Sequence, residues 1–126
     1  RFRSTLTTSL GIHSTMQSDS HIRLIYATFP DTDSARAAGE ALVRERLAAC
    51  INMWPGMVSI YRWQGEIEEA NEVVFLAKTT LSQSAAAIAA LKAAHPYDEP
   101  AVLSLPVEDG SAGFLHWIRK ETAGLV

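Results

Sequence analysis

The chain has 126 residues, a 48% hydrophobic composition and a net charge of −3 from 11 basic and 14 acidic side chains. That length suits one domain with a real core, and the charge balance is too mild to steer the chain toward nucleic acid or anionic lipid. No run reaches the ~18 apolar residues of a membrane helix, and a single cysteine, Cys50, excludes an internal disulfide framework and fits a reducing compartment.

Residues 1–20 stand apart. They are rich in Ser and Thr, carry no acid before Asp19 and lack the continuous apolar run of a secretory signal. They read as a leader or disordered extension, with Met16 as a natural start, or as the remnant of an organelle transit segment. The single domain is expected over 21–126.

His21 to Phe29 alternates Ile22, Leu24 and Tyr26 with Arg23, Ile25 and Ala27, which predicts a strand. Pro30 and Asp31 stop it, and Asp31, Thr32 or Asp33 can cap a helix over 34–46, because a short side-chain oxygen satisfies free N–H groups at a helix start. Ala35, Ala38, Leu42 and Val43 form its apolar stripe, and Ala35, Ala38 and Gly39 are small enough to let it approach a sheet closely. A second strand is expected from Leu47, bent or bulged at Pro55-Gly56 and continuing to Trp63. Gln64-Gly65 turns the chain, and a third strand returns over 66–79 with Val73, Phe75 and Ala77 on one face and Glu72, Val74, Leu76 and Lys78 on the other. An alanine-rich helix follows over 82–94, packing through Leu81, Ile88 and Leu91. A last strand covers 101–107, and Ser111 can cap a short terminal helix bearing Phe114, Trp117 and Ile118.

The order β-α-β-β-α-β plus a helix predicts an α+β, ferredoxin-like fold, with two helices on one face of an antiparallel sheet. The two middle strands are its anomaly. At ~12 or more residues each, they exceed the usual ~5–6. The helices are too short to cover them, and the uncovered part carries Trp54, Met57, Ile60 and Trp63. An apolar ribbon of that kind is expected to pair with further copies of the chain in a cyclic homo-oligomer.

Candidate chemistry is sparse. The seven glycines form no phosphate-binding loop, no nucleophile elbow occurs, and no nucleophile–base pair is visible, so an enzyme is not expected. His95 lies in HPYDEP, where Pro96 must end the second helix. With Asp98 and Glu99 it can form a divalent-metal site, or it can serve as a terminal cap beside solvated acids. Cys50 reads as a buried structural thiol or a soft metal ligand. Tyr61 and Trp63, two apart on one strand face, can line a ligand cleft with Lys78 and Tyr97, or can pack on a neighbouring subunit. Glu72 and Lys78 share a face and can pair across an interface, while Glu66, Glu68 and Glu69 read as a solvated acidic tip.

Five stretches in one order carry a resemblance: ATFPD at Ala27–Asp31, ERLAACINMWPGMVSIYRWQGEIEE at Glu45–Glu69, LAKTT at Leu76–Thr80, AAHPYDEPAVLSLPV at Ala93–Val107 and FLHWI at Phe114–Ile118. Together they resemble the CutA family of divalent-cation tolerance proteins over about residues 22–118. The resemblance implies a compact ferredoxin-like homotrimer similar in outline to PII signalling proteins. It also implies a cytoplasmic protein in bacteria with organelle-targeted forms in plants, a role in tolerance to or binding of divalent metals such as copper, and no established enzymatic activity. The copper site it implies uses a first-strand cysteine, the histidine of HPY and an acid after the second proline of that motif. Here the histidine is His95, but the other two positions are Ala27 and Ala101, leaving Asp98, Glu99 and Cys50 as the alternative donors. Two functions are therefore expected in competition: divalent-metal binding at inter-subunit clefts near His95, or a PII-like scaffold holding a small anion or metabolite in clefts lined by Tyr61, Trp63, Lys78 and His95. A purely structural trimer presenting a surface to another protein is a third.

Overall fold

A computed structural model describes residues 20–124; the expected leader therefore lies outside the described residues, apart from Ser20. The elements run β1 (Ile22–Phe29), α1 (Thr32–Arg44), β2 (Cys50–Trp63), β3 (Glu66–Thr80), α2 (Leu81–Ala94), β4 (Val102–Pro106) and α3 (Ala112–Glu121). The sheet order is β2-β3-β1-β4, every neighbouring pair antiparallel. This is the split βαβ arrangement read from the element order.

Two of the three helices start on a side-chain cap, and the one over Leu81–Ala94 starts without one. The Asp31 carboxylate accepts the Ser34 backbone N–H at 2.7 Å and opens α1, and Ser111 accepts the Phe114 N–H to open α3. The first helix ends differently from expectation. Arg46 sits at φ 61, and the N–H groups of Leu47 and Ala48 both turn back to the Leu42 carbonyl, at 2.9 and 3.3 Å. That closure satisfies a free carbonyl at the helix end and delays β2 until Cys50.

The helices cover one face of the sheet. Ile25, Ala27, Phe29, Phe75 and Ala77 are fully buried there, with Ala35, Leu42, Ala87 and Leu91 packed on them. The rings of Phe29 and Phe75 lie 5.1 Å apart at the centre, each large core side chain contributing roughly 1.5–3 kcal/mol of burial. Gly39 lets α1 sit close: a Cβ there would meet Ile51 Cγ2 at 3.1 Å. Three expected packing residues prove exposed. Val43 lies on the outer side of α1, and on α3 only Ile118 is buried, joining Ile22 and Ala49, while Phe114 and Trp117 stack on each other at the surface.

The central ribbon is as long as its sequence suggests, with strands of 14 and 15 residues. Trp54 pairs with Val74 and Met57 with Glu72, so one extra residue bulges out at Pro55-Gly56, where Gly56 takes φ 91. Gln64 and Gly65, both at positive φ, make the two-residue turn whose twist matches the strands.

Candidate functional site

Counting back from that turn sets every side chain of the ribbon. Trp63 faces Glu66, Tyr61 faces Glu68, Ser59 faces Ala70 and Met57 faces Glu72. Partners across an antiparallel pair share a face, so these side chains continue the helix-free face that holds Tyr26 and Leu76. Ser59 Oγ donates to Glu72 Oε1 at 2.7 Å, and the Tyr26 hydroxyl lies 3.8 Å from Met57 Sδ, which leaves Met57 half-buried and not open as expected.

Over this face the loop after α2 folds back and forms one wall of an open cleft of about 870 Å³. Tyr61 and Trp63 line it from the ribbon, Tyr97, Asp98 and Glu99 from the loop, and Glu68 and Glu72 from its floor. Among the described residues that line it, none is Lys, Arg or His. Burial holds the Tyr97 phenol above its usual range, and Glu72, Tyr61 and Asp31 push it further in the same direction.

His95 stands behind the wall. It is 8% exposed, stacked on Phe29 with ring centres 4.2 Å apart. Its Nδ1 accepts the Tyr97 backbone N–H at 3.1 Å, and its Nε2 lies 2.7 Å from the Thr28 carbonyl oxygen. A carbonyl can only accept, so Nε2 carries the proton and the ring is the neutral tautomer. Both nitrogens are engaged, and neither is free to meet a metal. The ring ties the loop to the end of β1 and thereby places Tyr97.

The remaining expected donors are dispersed. Cys50, Lys78 and Leu24 stand side by side on three strands, with Lys78 Nζ 3.7 Å from Cys50 Sγ and hydrogen-bonded to Asn52 Oδ1. Thr28 is four residues farther along β1, ~13 Å away. Within one protomer, Cys50 and Lys78 are therefore not brought to His95 or to the cavity. Among the described residues no group of three His, Cys, Asp or Glu side chains is placed to hold a metal ion. The structure does bring Tyr61, Trp63, Tyr97, Asp98 and Glu99 together. Glu68, Glu72, Ser59 and Tyr26 join them unforeseen; the signal that could have found them is the register counted from Gln64-Gly65.

The model of the CutA1 divalent ion tolerance protein family matches residues 23–121. The chain belongs to the CutA family. It is 43% identical over 99 residues to the divalent-cation tolerance protein CutA of Thermus thermophilus, covering 79% of this chain and 96% of that one. It is 40% identical over 97 residues to the mouse protein CutA, but spans only 55% of that longer relative and 77% of itself. The crystal structure of CutA from Xylella fastidiosa superposes with a TM-score of 0.80 at 44% identity, covering 82% of this chain and 99% of that one. This CutA family member has, among its described residues, no helix long and apolar enough to cross a membrane.

Proposed function

We propose that the chain works in divalent-cation tolerance as a homotrimer whose ligand sites are the cavities at Tyr97, closed by sister copies. The observation that carries this reading is the uncovered apolar face of the sheet. Leu103 is 60% exposed, Trp54 and Leu105 lie open on the same face, and the ribbon holds Ile60 and Trp63 out in solvent. Soluble monomers seldom leave so much contiguous apolar surface. Closed cyclic assembly covers it without leaving an open edge, and the PII-like outline supports three copies by fold analogy. The cytoplasm is the compartment we propose, on the strength of the single thiol.

In this reading the loop carboxylates Asp98 and Glu99 would hold the cation only together with donors from a sister copy, because one protomer brings no three such groups together among its described residues. An all-oxygen donor set suits hard ions such as Mn²⁺, while Cu²⁺ binds any such set more tightly by the Irving–Williams order, so both ions belong in the test. His95 positions the loop, and Cys50 stands outside the site. We read the site as binding rather than catalytic: the hydroxyl at Ser59 faces only the Glu72 carboxylate, a weak base for a hydroxyl.

Calorimetric titration of the tag-free protein with Mn²⁺ and Cu²⁺ tests this reading, beside His95→Ala and an Asp98→Asn/Glu99→Gln double variant, with light scattering for the mass. The expected result is a trimer whose Mn²⁺ heat is weakened in His95→Ala, which loosens the loop, and is lost in the double variant. A monomer, or heat lost only with His95, overturns it.

The size of the cavity favours a second reading as a small-molecule scaffold. About 870 Å³ with aromatic walls is the scale of an organic ligand pocket, roughly 300–1,000 Å³, and far exceeds an ion with its first shell.

A further inference from the structure

The charge of the cavity decides which organic ligand suits it. On the lining that one protomer supplies, an anion is the wrong occupant. Lys78 lies at the other end of the sheet, His95 is neutral with both nitrogens engaged, and no described lining residue is basic. The ion pairs among the described residues, Arg36–Asp33 and Arg46–Glu121, neutralise none of the acids that line the cavity.

Acids and aromatic rings are interleaved there. Tyr61 is the direct cross-strand partner of Glu68, with Trp63 two residues beyond on the same face. Across the opening stands Tyr97, followed in the chain by Asp98 and Glu99. The Tyr97 phenol is held above its usual range first by burial and only then by Glu72, Tyr61 and Asp31. Between the charges the wall is apolar, formed by Ile60, Ala70 and Pro96. A ring face attracts a cation that is weakly hydrated, and a carboxylate adds long-range attraction. The occupant matching both is a positive charge carried on an apolar body.

We propose that this cavity binds organic ammonium cations, the alkylated nitrogen seated against Tyr61, Trp63 and Tyr97 and balanced by Glu68 and Glu72. The inference rests on the reading that the cavity at Tyr97 remains a ligand site once sister copies close it. It is independent of whether a bare metal ion also binds.

The test titrates the full-length, tag-free protein with three probes sharing one aromatic body: benzyltrimethylammonium, neutral benzyl alcohol and anionic phenylmethanesulfonate. The ammonium should bind saturably and at least about tenfold tighter than either control, a margin of ~1.4 kcal/mol. Trp63→Leu, outside the protomer's own core and compared only if light scattering shows an unchanged mass, should weaken it about 2- to 30-fold, the range of a cation–π contact. Glu68→Gln/Glu72→Gln should weaken the ammonium and leave benzyl alcohol unchanged. Equal binding of the three probes, no saturation with the ammonium, or unchanged affinity in the carboxamide variant overturns the proposal. Mn²⁺ run in parallel separates the two readings. Binding of Mn²⁺ without the ammonium defeats this inference and leaves the divalent-ion reading standing, and the reverse result defeats the divalent-ion reading alone.

Discussion

The imidazole of His95 bonds the carbonyl of Thr28 across 67 positions of sequence, Nε2 to oxygen 2.7 Å. That contact fastens the end of α2 to the end of β1. It also orients the ring so that Nδ1 receives the Tyr97 N–H, and so it aims the loop that walls the cavity.

Removing the ring should therefore cost stability before it costs a ligand. His95→Ala leaves the Thr28 carbonyl and the Tyr97 N–H without their partner and opens space against Phe29. We expect a loss of about 2–4 kcal/mol in urea unfolding. A loss under ~1 kcal/mol would mean that the loop is held by other contacts.

The Asp31 cap should give α1 a pH dependence. Its backbone bond to Ser34, then its side-chain bond to Ser34, hold the carboxyl below its ordinary value of 3.8. A carboxyl lowered in the folded state contributes stability that is full above its unfolded value and is lost as pH falls through the folded one. Asp31→Asn keeps a capping oxygen and removes the charge. Wild type should be the more stable at neutral pH, with the gap closing below pH 3.8. Thermal melts across that range check it, and a gap independent of pH would refute the assignment.

Gly39 should tolerate little. Helix propensity alone favours alanine over glycine by about 1 kcal/mol, but the added carbon meets Ile51 Cγ2 at 3.1 Å. Gly39→Leu should lose about 1–3 kcal/mol by overpacking. Ile51→Ala in the same chain should restore part of that loss, because the two changes share one space. Strict additivity of the two losses would show that α1 does not press on β2 here.

Much of the fold was legible because local rules and global topology agree. Alternation in β1 and β3, Pro96 after α2, and the small residues of α1 each point to the observed element. The boundary of β2 was not legible, since Leu47 and Ala48 look like strand but their N–H groups return to Leu42. Nor were Phe114 and Trp117, whose helical spacing with Ile118 does not say which of them meets the sheet. The site was half visible. Tyr61 and Trp63 share a face by period alone, whereas Glu68 read as a solvated tip because its cross-strand partner depends on register.

What the order of residues determined unaided was the element succession, the overlong apolar ribbon and the family, all of which follow from local periodicity and from short motifs. The fate of His95 belonged to the folded molecule. An imidazole followed by two carboxylates has the same spelling whether it ligates a metal or pins a loop. Only the approach of Thr28, 67 residues upstream, gives the nitrogen its carbonyl partner. The same holds for the cavity: its sign comes from acids and rings that lie far apart along the chain and meet only when antiparallel pairing and the returning loop place them on one face.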